Sequence, residues 1–174
     1  EKQVLVNLLY LNIYITLPKK KCVLLAPTGR AALNVGGQTI HSFFSLGWGV
    51  LQPSNFDKFY NSDALNIDVI IIDEVSMIRA DILDTIDHIL KNTMKNDLPF
   101  GGKQIILFGD PYQLPPVVPS SKEVSHFFTD YYASPYFFDA KVYIAAKIKC
   151  IELNQVFRQT DTDFIEILNR VRDG

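Results

Sequence analysis

The chain has 174 residues, a formal net charge of −2 and 48% hydrophobic residues. This length and composition fit one soluble globular domain, or slightly more than one, and they exclude an intrinsically disordered chain. The 17 Lys and Arg residues nearly balance the 19 Asp and Glu residues, so any contact with nucleic acid must be local rather than spread over a basic surface.

The sequence shows no membrane or secretion signal. Its most apolar stretch, residues 4–17, is too short to span a bilayer, and the first residues lack the pattern of a signal peptide. Cys22 and Cys150 both lie in apolar, strand-like runs, and we expect two buried free thiols rather than a disulfide framework. These features predict an intracellular protein, cytoplasmic if the source is bacterial.

Short apolar runs predict the strands of a sheet. Two of them are apolar without alternation, as is typical of strands buried on both faces of a parallel sheet. A weaker candidate begins the chain, and the last one alternates in part. In chain order the candidates are residues 1–6 (EKQVLV), 22–26 (CVLLA), 69–72 (VIII), 105–108 (IILF) and 148–153 (IKCIEL).

Helical patterns lie between these runs. Residues 26–44 predict a strand, a turn at residues 27–29 and a short helix broken by Gly36 and Gly37. Residues 160–171 begin with a helix start signal and repeat the helical spacing of apolar residues. Alternating strands and helices predict an α/β fold with a parallel sheet flanked by helices.

One longer helix is predicted from Ile78 to Met94. Its apolar positions fall on one face. The other face is expected to be polar, with Asp81, Asp84, Asp87 and Lys91. Residues 45–66 and 115–134 are richer in turn formers and aromatic residues, and are interpreted as connecting or inserted segments.

Polar groups follow four of the predicted strands. In open α/β sheets, ligands bind beyond the carboxyl ends of the strands, so these groups predict one common site. They are Pro27-Thr28-Gly29-Arg30, Asp73-Glu74, Gly109-Asp110 with Gln113, and Gln155 with Arg158.

Asp73 and Glu74 directly follow the VIII strand. One carboxylate at a sheet edge can hold Mg²⁺, directly or through water, and its neighbour can position or deprotonate a nucleophilic water. This is the arrangement of nucleotide hydrolases. A strand that ends in two solvated acids is the alternative interpretation of this pair.

Gln113 and Arg158 add groups suited to phosphate chemistry. The Gln113 amide can contact a terminal phosphate or orient water, and the following Leu-Pro-Pro stiffens its segment. The Arg158 guanidinium can stabilise charge on a γ-phosphate. A proline-rich loop and a surface salt bridge are the respective alternatives.

Residues 26–44 carry groups suited to nucleic acid. Thr28 and the amides near Gly29 could hold a phosphate, and Phe43 with Phe44 could offer a stacking surface for unpaired bases. Each aromatic ring could equally be a core residue, and His41 is as well explained by a structural hydrogen bond as by a DNA contact. His88 and His126 are interpreted as structural, and no zinc site is expected.

Together these stretches resemble the Pif-type (petite-integration-frequency) group of superfamily I DNA helicases, relatives of the RecD-like motors. APTGRAALNVGGQTIHSFF is similar to motif Ia with its extension, and VIIIDEVSMIRADILDTID to motif II. LFGDPYQLPPV is similar to motif III, and ELNQVFRQTDTDFIEILNRVRDG to motif IV with its following helix. The motifs cover most of residues 21–174 in the family's order.

The resemblance implies a first RecA-like motor domain of the P-loop NTPase class over residues 1–174, in which ATP and Mg²⁺ drive 5′-to-3′ movement on single-stranded DNA. It implies Mg²⁺ coordination by Asp73 through water, and the general-base role for Glu74. It further implies γ-phosphate contacts for Gln113 and Arg158.

For DNA, the resemblance implies backbone contact at Pro27, Thr28 and Gly29, and base contact around His41 and Phe43. Residues 45–66 would form a short inserted wedge region. The implied partners are single-stranded DNA, duplex junctions and a second RecA-like domain of the same full-length chain, in a monomeric motor without membrane contact.

The sequence departs from the family in two respects. Its 174 residues contain neither a G-x-x-x-x-G-K-[ST] phosphate loop nor the family's second motor domain. We expect that a glycine-rich segment belongs between Val6 and Asn7, where a strand pattern meets a helix pattern. One continuous helix over residues 3–17 is the alternative. A non-hydrolysing nucleic-acid-binding or scaffold module, and a RecD-like nuclease subunit, are the alternative functions.

Overall fold

The computed structural model describes residues 19–152, together with Val6, Leu8, Leu9, Asn12, Ile13 and Thr16 of the preceding segment. Within that segment Val6 is helical, so the strand predicted for residues 1–6 is wrong at this residue. Several predictions lie outside the described residues. They are the rest of that strand, the helix at residues 160–171, Gln155 and Arg158.

Four parallel strands form one sheet in the order β2-β1-β3-β4. The strands are β1 (Cys22–Ala26), β2 (Gln38–Thr39), β3 (Val69–Ile72) and β4 (Gln104–Leu107). The predicted strand at residues 105–108 is therefore confirmed with a shift of one residue. The two-residue β2 was not predicted, because it is too short to show a hydrophobic pattern.

Alternate residues of β3 pack on opposite faces of the sheet. Ile70 and Ile72 belong to a large core shared with the helix that follows, and Val69 and Ile71 belong to a smaller core with Val6. All four β3 side chains are buried. Each such side chain stabilises the fold by about 1.5–3 kcal/mol, which explains why this strand is apolar on both faces.

Five helices accompany the sheet within residues 19–152. They are α1 (Gly29–Val35), α2 (Ile40–Phe44), α3 (Ala80–Met94), α4 (Lys122–Tyr131) and α5 (Lys141–Ala145). Short 3₁₀ turns lie at Pro53–Lys58, Asp63–Asn66, Val75–Met77, Pro99–Gly102 and Phe137–Asp139. The α/β fold with a parallel sheet flanked by helices is thus confirmed.

Helix α3 is buried on nearly all sides, which corrects the prediction of a solvated polar face. Asp81, Asp84 and Asp87 are all buried, because segments from distant parts of the chain cover them. Each carboxylate accepts a backbone N–H from one of those segments: Leu51 to Asp81 at 2.8 Å, Phe100 to Asp87 at 2.6 Å and Val142 to Asp84 at 2.9 Å. A buried polar group paired in this way avoids most of its desolvation cost.

Three further expectations were wrong. Residues 148–152 form no strand, and Cys150 is exposed while Cys22 is partly buried. The segment 115–134, interpreted as a connection, contains helix α4, which Ser121 caps by accepting the Val124 N–H. Among the described residues, we find no helix with the length and apolar character needed to cross a membrane.

Candidate functional site

The carboxyl ends of β1, β3 and β4 meet at one edge of the sheet. Leu25 is in register with Ile72, and Ile72 with Leu107. The residues that follow these strands are therefore brought together, as the sequence predicts. They are Pro27 and Thr28 after β1, Asp73 and Glu74 after β3, and the loop from Gly109 to Gln113 after β4.

Asp73 and Glu74 occupy different environments. Asp73 is buried, and its backbone N–H donates to the Leu25 carbonyl at 2.9 Å. Glu74 is partly exposed and adopts the left-handed conformation, with φ 54° and ψ 42°. This conformation costs a non-glycine residue about 1–2 kcal/mol and persists where neighbouring contacts enforce it. The two carboxylates can therefore perform different roles.

Backbone hydrogen bonds hold the β4 loop against the turn that contains Glu74. The Val75 N–H donates to the Phe108 carbonyl at 2.9 Å, and the Phe108 N–H donates to the Ile72 carbonyl at 2.8 Å. A Cβ atom on Gly109 would lie 2.5 Å from Cγ1 of Val75. Only glycine allows the loop to approach so closely, so the Gly109 loop and the acidic turn form one unit.

Asp110 holds the Gln113 side chain. The Gln113 Nε2 atom donates to Oδ2 of Asp110 at 3.1 Å, and the Gln113 backbone N–H donates to the Asp110 carbonyl at 3.0 Å. Oδ1 of Asp110 also accepts the Tyr112 N–H at 3.1 Å. This role of Asp110 is not predicted from the sequence, although its position three residues before Gln113 is the available signal.

Thr28 begins helix α1 as its N-cap. Its hydroxyl accepts the Ala31 N–H at 3.2 Å, which explains why a threonine stands after the Pro27 turn. Gly29 is exposed, whereas Pro27 and Thr28 are half-buried. Pro27 and Thr28 line the same groove as His41, in line with their predicted proximity.

The side chains of His41 and Phe43, both on helix α2, lie in different environments. Phe43 is buried, packs edge-on against Phe44 and belongs to the large core. The expectation that Phe43 contacts a base is therefore corrected, because its ring is not on the surface. His41 stacks on Trp48, with ring centroids 5.5 Å apart and planes 18° apart, and Trp48 is 95% exposed.

The pKa of His41 is lowered, first because the ring is partly buried and then because of the nearby Arg79 charge, while Asp81 acts in the opposite direction. The His41 imidazole is therefore harder to protonate in the folded state than in the unfolded chain. As the pH falls below the ordinary value of about 6.5, the unfolded chain binds a proton that the folded chain does not, and the stability contributed by His41 is lost.

We therefore expect His41→Gln to reduce the loss of unfolding free energy between pH 7.5 and pH 5.0, measured by urea denaturation at both pH values. The exposed His126 on α4 provides the matched control substitution, His126→Gln. Equal losses in His41→Gln and the unsubstituted protein would contradict the prediction.

The carboxylates at the sheet edge suit Mg²⁺ better than a metal ion that needs three or more protein ligands. Within residues 19–152 and the described helical residues before them, no group of three or more His, Cys, Asp or Glu side chains is arranged to hold a metal ion. Mg²⁺ usually keeps several waters and binds one or two carboxylates together with substrate phosphates. Asp73, a single carboxylate at the carboxyl end of β3, fits that requirement.

Comparison with known proteins identifies the relatives of this chain. The model of the family described as PIF1-like helicase matches residues 2–174. The chain is 39% identical over 159 residues to the ATP-dependent DNA helicase PIF1 of Saccharomyces cerevisiae, covering 86% of this chain and 17% of that protein. It is 33% identical over 165 residues to the ATP-dependent DNA helicase PIF1 of Homo sapiens, covering 91% and 24%.

Solved structures give the same result. A Bacteroides Pif1 bound to single-stranded DNA matches with a TM-score of 0.83 and 38% identity, covering 98% of this chain and 40% of that chain. The Bacteroides Pif1 helicase in complex with ADP-AlF3 and single-stranded DNA matches with a TM-score of 0.82 and 38% identity, covering 99% and 40%. The chain thus spans about a fifth of these curated relatives and two fifths of these solved chains.

Proposed function

This chain belongs to the PIF1-like helicase family, and we propose that it forms the first RecA-like motor domain of an ATP-dependent DNA helicase. A longer protein would supply the phosphate loop and the second motor domain that the proposal requires. The motor would use ATP hydrolysis to move 5′ to 3′ on single-stranded DNA and to open duplex junctions, as a monomer. Residues 45–66 would form its short wedge region.

The chemistry of the proposal lies at the carboxyl edge of the sheet. Glu74 would accept a proton from the water that attacks the γ-phosphate, and Gln113 would contact that phosphate or orient the water. Arg158, outside the described residues, would stabilise the charge that develops on the phosphate. Because the Gly109 loop is bonded to the Glu74 turn, the base and the amide would keep a fixed relation during the reaction.

Asp73 would hold Mg²⁺, which supplies neutralisation of the phosphate charges when bound. Its burial beside the strand end keeps this carboxylate in one place. Pro27, Thr28, Gly29 and His41 would contact the DNA strand on the adjoining surface. The structures of Bacteroides Pif1 with single-stranded DNA and with ADP-AlF3 support the use of a nucleotide and of a DNA strand.

One observation carries the proposal: Glu74 has the left-handed conformation directly after a buried Asp73, in a turn fastened to the loop of Gln113. The test is ATP turnover by the protein that carries this chain, with and without oligo-dT, followed by unwinding of duplexes with either a 5′ or a 3′ single-stranded tail. We expect stimulation by oligo-dT and unwinding of the 5′-tailed duplex alone. Tight DNA binding without ATP turnover would instead support the non-hydrolysing module.

We expect Asp110→Ala to lower the DNA-stimulated kcat by about 10- to 100-fold with little change in the KM for ATP, because a misplaced Gln113 amide affects the reacting geometry more than binding. Asp110→Asn retains one oxygen acceptor for the two N–H donors of Tyr112 and Gln113, and should recover only part of the activity. Steady-state kinetics at saturating oligo-dT measure both effects. A rise in KM without a fall in kcat would contradict a positioning role for Asp110.

A further inference from the structure

A groove of about 390 Å³ opens beside the proposed DNA surface. His41 and Trp48 line this groove together with Val117 and Pro119. Arg79 also lines it and bonds main-chain carbonyls next to Trp48 and at Val117. The lining is mostly apolar, and the Trp48 ring, stacked on His41, is exposed to solvent.

Arg79 bonds two backbone segments that line the groove. Its Nη2 atom donates to the Gly49 carbonyl, next to Trp48, and its Nη1 atom donates to the Val117 carbonyl at 3.5 Å. Nε and Nη2 also donate to the two carboxylate oxygens of Asp81, each at 2.9 Å. The guanidinium is thus buried, fixed by a bidentate ion pair and directed at two main-chain carbonyls.

The loop that carries Trp48 depends on such an anchor. Gly47 and Gly49 flank the tryptophan, and Gly49 has φ +104°, a conformation that other residues rarely adopt. Glycine on both sides restrains the backbone little. The bond from Arg79 to the Gly49 carbonyl therefore fixes where the exposed Trp48 ring stands relative to Val117.

We propose that Arg79 is a positioning residue for single-stranded DNA: it ties the Trp48 loop to the Val117 segment, so that an unpaired base can stack on the Trp48 ring. An aromatic platform suits a base because every base has a π-face, and such stacking contributes about 1–3 kcal/mol per base. This inference rests on the proposed function, since it assumes that the DNA strand crosses this surface. Arg79 itself acts through the loop and does not touch the DNA.

The test compares the affinity of the protein that carries this chain for fluorescein-labelled oligo-dT by anisotropy. Arg79→Lys retains a cation against Asp81, but one ammonium group cannot reproduce the planar fork that reaches both carbonyls. We expect it to weaken binding by about 5- to 10-fold. Trp48→Ala removes the platform itself and should weaken binding by about 5- to 150-fold, the range that corresponds to the loss of one stacked base.

The double variant separates positioning from general stability. If Arg79 acts through Trp48, then Arg79→Lys in the Trp48→Ala background should change the affinity by less than about twofold, because the two effects are not additive. Lys103→Met is the matched control. Lys103 bonds the main-chain carbonyls of Leu65 and Ile67 at the far end of the sheet, so its loss should change the melting temperature but not the affinity for oligo-dT.

Gly49→Ala gives a second route that leaves Arg79 in place. A Cβ at Gly49 meets open space, but its φ is unsuited to alanine, so the loop must shift without disturbing the core. We expect weaker binding of oligo-dT here as well. Unchanged affinity in both Arg79→Lys and Gly49→Ala, or additive effects with Trp48→Ala, would overturn the inference. Failure of the unsubstituted protein to bind oligo-dT would instead overturn the proposed function, and this inference with it.

Discussion

Glu74→Gln is expected to lower DNA-stimulated ATP turnover by about 100- to 10,000-fold, the contribution typical of a general base. The amide has nearly the same size as the carboxylate, so the turn and its left-handed residue should be retained. What is lost is the ability to accept a proton from the attacking water. Phosphate release under single-turnover conditions, at saturating oligo-dT, measures the effect in the protein that carries this chain.

Nucleotide binding provides the control for that result. The affinity for a fluorescent ATP analogue should stay within about threefold, because a residue that acts only in the chemical step contributes little to ground-state binding. Glu123→Gln, at an exposed position of α4, is the matched substitution and should leave turnover unchanged. Normal turnover by Glu74→Gln would refute the base assignment and favour the non-hydrolysing module.

Asp81→Ala is expected to reduce the free energy of unfolding by about 3–5 kcal/mol, since removal of one partner leaves a buried charge uncompensated. Asp81 is fully buried, bonds Arg79 through both oxygens and also accepts the Leu51 N–H at 2.8 Å. Urea denaturation at pH 7.5 measures the loss. The combined variant Arg79→Met with Asp81→Ala should recover part of it, because no buried charge then remains.

An exposed ion pair provides the comparison. Lys20 and Asp68 lie 3.2 Å apart with side chains 52% and 37% exposed, and Lys20→Ala should cost no more than about 1 kcal/mol. A loss below about 1 kcal/mol for Asp81→Ala would show that the Arg79 cluster contributes no more to stability than a surface pair.

The sequence predicted the strands that carry the site because their signals are local. Residues 22–26 and 69–72 are apolar runs between turn formers, and the structure has strands with these bounds. Residues 148–152 show a similar run but form no strand, since an apolar run alone does not determine which segment pairs with the sheet. The short β2 pairs only two residues with β1, which no periodicity could reveal.

The site was predictable in its composition and less so in its arrangement. Asp73, Glu74 and Gln113 follow strands whose ends align, so their convergence follows from the parallel sheet. The role of Asp110 depends on how the loop folds back on itself. The burial of Asp81 depends on Leu51, thirty positions earlier in the chain, and helical periodicity contains no information about such distant segments.

The bonds around α3 have a consequence for loop grafting. Each aspartate of that helix accepts a main-chain N–H, which every residue type except proline supplies. The docked segments can therefore exchange side chains without losing these anchors. The three pairs are Asp81 with Leu51, Asp87 with Phe100 and Asp84 with Val142. The hydrogen bond at each anchor requires only a non-proline residue, whereas the burial of Leu51, Phe100 and Val142 requires an apolar one. The exposed positions of a transplanted segment can therefore diversify while the central helix stays unaltered.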